Sequence, residues 1–264
     1  MKRAERWLVG GVLALVAFVS VQISRAPRRP SPKAVSDSLW LDSVATAEEN
    51  GPEGGPRLRR SALPAPGPKD YTDIARQLSE AHTTTYIDDI LAARQGNIGR
   101  WVDRRNDPIR VWIDPRPGLK DFFPDFTERA RDAFYTWSAA GVPLKFLFLD
   151  DSTQAEILVH WVDRFGDAAA GKTFWSRDQH WWIVGADVQI AVHRSSGEPF
   201  DAIAVRTITL HEVGHAIGLD HSPNADDVMS ARVHVTALSA TDLRTASLIY
   251  HLPPGAVLAP PQAK

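Results

Sequence analysis

The chain has 264 residues, 44% hydrophobic and 23% charged, enough for one well-cored domain with appendages and incompatible with wholesale disorder. It contains no cysteine, which excludes a disulfide scaffold, an iron–sulfur cluster and a cysteine nucleophile, and leaves His, Asp and Glu as the side chains open to a transition metal. Residues 1–69 carry 11 Lys/Arg against 6 Asp/Glu and residues 70–264 carry 19 against 26, so the body is acidic. An acidic body argues against a nucleic-acid partner, whose phosphates need a cationic surface.

Residues 1–26 open with Lys2, Arg3 and Arg6, and residues 7–24 then run for 18 positions without a charge. A helix of that length reaches about 27 Å, close to the thickness of a thin bilayer. The segment is read as a signal peptide or signal-anchor helix, with the anchor favoured because the best cleavage site, Ser24-Arg25-Ala26, carries a charge and is followed by Pro27. Residues 27–69 hold eight prolines and few large apolar side chains beyond Leu39, Trp40 and Leu41, the composition of a disordered tether.

Patterning begins near Tyr71. Ile74, Leu78, Ile90 and Leu91 predict one or two short helices within a helical N-terminal extension or propeptide-like segment, 70–107. Residues 109–113 alternate as a half-buried strand and end in turn residues. A helix is expected over 126–140, with Ala130, Ala133, Phe134 and Trp137 on its apolar face and Gly141 as its stop. Strands follow at 144–149 and 157–162, and residues 173–192 read as two strands joined near His180. The order predicts an α+β domain over 108–252 with one twisted sheet, followed by a disordered tail, 253–264.

Residues 211–221 read His-Glu-Val-Gly-His-Ala-Ile-Gly-Leu-Asp-His. Four residues of helix turn through about 400°, so His211 and His215 stack within about 40° of each other and can meet one metal ion. Gly218 can take a positive φ, end the helix and swing His221 round as a third nitrogen ligand. Three protein ligands leave a fourth position open, the mark of a catalytic zinc site. Glu212 points away from the first coordination sphere yet stays close enough to take a proton from an activated water and hand it to a leaving amine. Ile203, Leu210, Val213 and Ile217 lie within about 80° of one another and are expected to dock this helix on the sheet.

With Ser222 after the third histidine and Met229 eight residues beyond it, the motif resembles the metzincin clan of zinc peptidases, and its matrixin branch most of all through residues 218–222. The resemblance extends loosely over 108–250. It implies a metzincin-like zincin domain with a mostly parallel five-stranded sheet and three helices. It also implies His211, His215 and His221 as zinc ligands, Glu212 as the base, Met229 as the Met-turn residue beneath the metal and Gly218 as the structural turn. One catalytic Zn²⁺ is expected. With no cysteine, the thiolate latency of some relatives is impossible. No counterpart of the second, structural zinc of animal matrixins is found over 163–193. The Pro and Tyr that usually wall the specificity pocket are missing from 230–238.

His160, His180, His193 and His234 have no ligand spacing to one another and are read as surface or core residues. Asp150, Asp151, Asp163, Asp167, Asp178 and Asp187 offer oxygens of the kind Ca²⁺ takes, but are read as solvated loop carboxylates. Phe174, Trp175, Trp181 and Trp182 fit equally a cleft rim, where an edge strand pairs with extended substrate, and plain sheet packing. Ser239 and Asp242 form a capping-box signature opening a last helix.

The expected function is a zinc-dependent endopeptidase acting on protein or peptide substrates, membrane-anchored with an extracytoplasmic catalytic domain, or secreted if the N-terminal segment is cleaved. The alternative is a membrane-tethered binding or scaffold protein with a structural or vestigial metal site. No oligomeric state follows from the chain.

Overall fold

The computed structural model describes residues 63–259, together with the backbone of two short strands, β1 (Leu39–Trp40) and β2 (Ala45–Thr46). The expected membrane segment, most of the tether and the last five residues lie outside the described residues. Among the described residues no helix is long and apolar enough to cross a membrane.

Two short helices, α1 (Tyr71–Ala81) and α2 (Ile87–Ala93), fill the extension, in line with its apolar spacing. Asp70 starts the first by accepting hydrogen bonds from the Thr72 and Asp73 amides, which are among the donors a helix start leaves unpaired. Strand β3 (Asn97–Ile98) follows and pairs antiparallel with β10 (Gly255–Ala256), so the beginning and the end of the described domain are tied together.

The main sheet is built from β4 (Arg104–Ile113), β5 (Leu144–Phe148), β6 (Ile157–Val162), β7 (Gly171–Arg177) and β8 (Ile183–Ala191). With β2 added the order is β2-β7-β8-β6-β4-β5. β4, β5, β6 and β8 run parallel to one another, while β7 is antiparallel to β8. The five expected strands are therefore present and mostly parallel. β4 starts five residues earlier than its alternation suggested. Its register with β5 shifts between Arg104 and Ile109, where Pro108 lacks an amide for the ladder and the side chains of 105–107 are exposed, so the periodic signal is missing there. Residues 39–40 and 45–46, read as tether, pair their backbones with β9 (Arg232–Val233) and with Phe174–Trp175 of β7 respectively.

Helix α3 (Asp125–Ser138) buries Phe126, Ala130, Ala133, Phe134 and Trp137. It ends just ahead of Gly141, which takes a φ of 82°. Helix α4 (Ala202–Ala216) starts at Asp201, whose carboxylate accepts from the Ala204 amide. The Trp137 indole donates to the Leu210 carbonyl at 2.8 Å and locks α3 to α4. One expectation about α4 fails. Leu210, Val213 and Ile217 are buried, but Ile203 is 54% exposed, because the first turn of α4 projects beyond the packed layer. From Thr207 to Ala216 the helix is buried on every side, so it has no single docking stripe. Helix α5 (Ala240–His251) opens with the expected capping box, Ser239 and Asp242 satisfying each other's amides.

Where β4 meets β6, Arg104 forms a bidentate pair with Glu156 at 2.7 and 2.8 Å, and both side chains are buried. Arg110 joins them at the surface. Removing one partner of a buried pair strands the other charge. Glu156→Ala is expected to lower the unfolding free energy by about 3 kcal/mol, read as a shift of the urea midpoint with an unchanged slope.

Candidate metal centre

Helix α4 is enclosed over most of its length, and its two histidines converge with His221 from the turn that follows it. The nitrogens of His211, His215 and His221 that face one another all lie within 4.8 Å. His211 Nε2 and His215 Nε2 stand 2.9 Å apart. Each of these two rings is oriented from behind. His211 Nδ1 donates to the Val228 carbonyl at 2.7 Å and His215 Nδ1 to the Leu219 carbonyl at 3.1 Å, which fixes the tautomer that leaves Nε2 as the inward lone pair. Burial, and then the neighbouring His221, hold His211 down to about 3; burial and the other two rings push His215 well below the usual imidazole range. Both rings are thus neutral, the state a metal ligand needs.

The turn that brings His221 in depends on Gly218, whose φ is 104°. A Cβ there would overlap the carbonyl oxygen of Gly99, so the position combines a left-handed backbone with a close backbone approach. The positive φ expected at this glycine is present.

Glu212, the residue after His211, is fully buried against β7, where a Cβ at Gly171 would overlap its carboxyl group. Its Oε2 accepts a hydrogen bond from Thr173 Oγ1 of β7 at 2.6 Å, while Oε1 is buried with no hydrogen-bond partner. Burial pushes its carboxyl up to about 8, against the Thr173 hydrogen bond. Thr173 was missed in the sequence because nothing local marks it; it lies 39 residues from Glu212 and meets it only through the packing of β7 on α4.

Met229 is buried beneath α4, and a Cβ at Gly214 would overlap its sulfur. Asp242 holds this turn, accepting from the Val228 amide at 2.9 Å and the Met229 amide at 3.4 Å. The helix-capping carboxylate of α5 therefore also supports the carbonyl that orients His211. Downstream, Val233 of β9 is buried.

Several of the other histidines and acids are engaged elsewhere. His160 Nε2 lies 3.4 Å from Asp187 Oδ2, and burial-enclosed His193 sits between Asp121 at 3.1 Å and Asp163 at 2.9 Å. Asp151 and Asp178 cap backbone amides, and Asp167 pairs with Lys172. Among the aromatics, Trp175 and Trp182 are buried, the packing outcome, while Phe174 and Trp181 are half-buried.

Three imidazole nitrogens from a helix and the turn after it, beside a mostly parallel sheet with one antiparallel strand, are the donor set and scaffold of a zinc metallopeptidase. Residues 123–251 match the matrixin family model, which supports a matrixin-like metzincin catalytic domain in this part of the chain. The comparison with curated proteins returns no match.

Proposed function

We propose that this chain is a zinc-dependent endopeptidase that cleaves internal peptide bonds of protein substrates. The observation that carries the reading is the buried, neutral imidazole pair of α4 with His221 beside it and a carboxyl group at the very next position after the first ligand. His211, His215 and His221 are the residues that hold the ion, and Glu212 is the general base once the positive charge of that ion offsets the burial that otherwise favours its protonated form. A zinc ion in such a site supplies a Lewis acid and makes a water molecule acidic enough to lose a proton near neutral pH.

Glu212 Oε1 takes that proton and returns it to the departing amine. Thr173 fixes the orientation of the carboxyl group by binding its other oxygen. An extended substrate pairs its backbone with the outer edge of β7, the edge that residues 45–46 occupy at Phe174 and Trp175 and must yield. The N-terminal segment delivers the domain outside the cytoplasm, either anchored or released, which a topology reporter fused after Lys264 would check.

Metal removal is the direct test. The purified full chain is expected to hold one zinc per molecule by elemental analysis and to digest an unfolded casein-type protein. Chelation should abolish the digestion, and stoichiometric zinc should restore it. A folded chain that carries no zinc and takes none up would instead mark a scaffold with a vestigial site.

A further inference from the structure

The C-terminal end of α4 is the place where the ligand-bearing helix turns toward His221, and it is buried. A helix end leaves its last carbonyls without intrahelical donors. Here side chains from two distant segments supply them. The Trp101 indole donates to the Ala216 carbonyl at 2.9 Å and the Tyr250 hydroxyl to the Ile217 carbonyl at 2.8 Å. Arg94, a fully enclosed residue just after α2, donates from Nη1 to the Gly218 carbonyl at 2.8 Å and from Nη2 to the Leu219 carbonyl at 3.2 Å.

Arg94 differs from the other two donors in what lies behind its acceptors. The Leu219 carbonyl also receives His215 Nδ1 at 3.1 Å. On its other side, Arg94 Nε lies 3.6 Å from Asp220 Oδ2, and Asp220 Oδ1 accepts from the His221 amide at 2.9 Å. One planar fork thus touches the groups that orient two of the three histidines. The Trp175 ring, 5.2 Å from the guanidinium carbon, closes the remaining face. A cation held so deep, at a loss of hydration, is compensated by two carbonyls, one carboxylate and one aromatic face.

We propose that Arg94 is a positioning residue for the metal centre, setting the aim of His215 through the Leu219 carbonyl and the placement of His221 through Asp220. The inference rests on the three histidines binding zinc. On this account residues 70–107 belong to the working catalytic unit, since the ligand turn is held from inside by one of their side chains. Arginine is required because its fork meets two carbonyls and a carboxylate at once, whereas a lysine ammonium reaches fewer of them.

The test uses the full chain with Arg94→Met, Arg94→Lys and, as a control for the helix end alone, Trp101→Phe. Zinc affinity is read by competition with a chromophoric chelator, and ligand geometry by the visible absorption of the cobalt-substituted protein. Arg94→Met is expected to bind zinc about tenfold to a hundredfold more weakly with an altered cobalt spectrum, the range for loss of outer-shell support. Arg94→Lys should fall between it and the unaltered chain, and Trp101→Phe should lower the melting temperature while keeping zinc affinity and spectrum. Should Arg94→Met not fold, the cobalt spectrum of Arg94→Lys decides: a change supports the assignment and an unaltered spectrum overturns it. Wild-type affinity and spectrum in Arg94→Met, or an equal loss in Trp101→Phe, would overturn it too. An unaltered chain that binds no zinc removes the peptidase reading first, so the two failures are distinguishable.

Discussion

Glu212→Gln should leave zinc content unchanged and cut kcat/KM on an unfolded protein substrate by about 10²–10⁴, the range that a positioned general acid–base group contributes. The substitution suits the site. Glutamine keeps the shape, and its carbonyl oxygen can still accept the Thr173 hydroxyl now bound to Glu212 Oε2. What it removes is the proton-accepting oxygen at Oε1, which is buried and makes no hydrogen bond. Because the three imidazoles take their orientation from Val228, Leu219 and the turn after Gly218, none of them depends on Glu212. The loss should therefore fall on kcat, with zinc stoichiometry and the melting temperature as the controls. A variant that cleaves as fast as the unaltered chain would end the assignment of Glu212 as the base, whatever the metal content.

The parts of the site that were legible in the sequence are those whose geometry is local. His211 and His215 are joined by one helical turn, and His221 by a single glycine-dependent reversal, so spacing alone was sufficient to place them together. The capping box at Ser239 and Asp242 was readable for the same reason. Support from outside the motif was not. Thr173, Arg94 and Trp101 reach α4 across 39 to 125 positions, and no periodicity announces such partners. Ile203 shows the opposite error: its helical spacing matched the buried Leu210, but the stripe argument assumes that a helix is covered along its whole length. For α4 the covering starts a turn later and then closes on all sides, so the stripe held no information about the metal-bearing portion. Asp242 was half-read. Its capping role is a local pattern, whereas its hold on the Val228 and Met229 amides follows from where α5 packs.

Gly218→Ala should be strongly damaging for a single-methyl change, and its effect can be divided by a control. At a φ of 104° a Cβ costs about 1–2 kcal/mol from its own backbone alone. Here it would also overlap the carbonyl oxygen of Gly99, a backbone atom that cannot rotate aside as a side chain can. Forcing that contact apart adds a cost of about 1–3 kcal/mol, typical of overpacking. The relief available is to move the turn, which carries the Gly218 and Leu219 carbonyls that Arg94 holds, or to move the segment that contains both Arg94 and Trp101. Either movement displaces His221 relative to His211. Gly141 supplies the comparison, having a φ of 82° with nothing within 4 Å of an added Cβ. Gly141→Ala should lose about 1 kcal/mol in urea unfolding and keep its zinc. Gly218→Ala should lose about 3 kcal/mol and bind zinc more weakly, because only there does the strain fall between two metal ligands. Equal losses in the two variants, with zinc affinity intact in both, would mean that the Gly99 contact yields without cost and that the ligand turn tolerates the displacement.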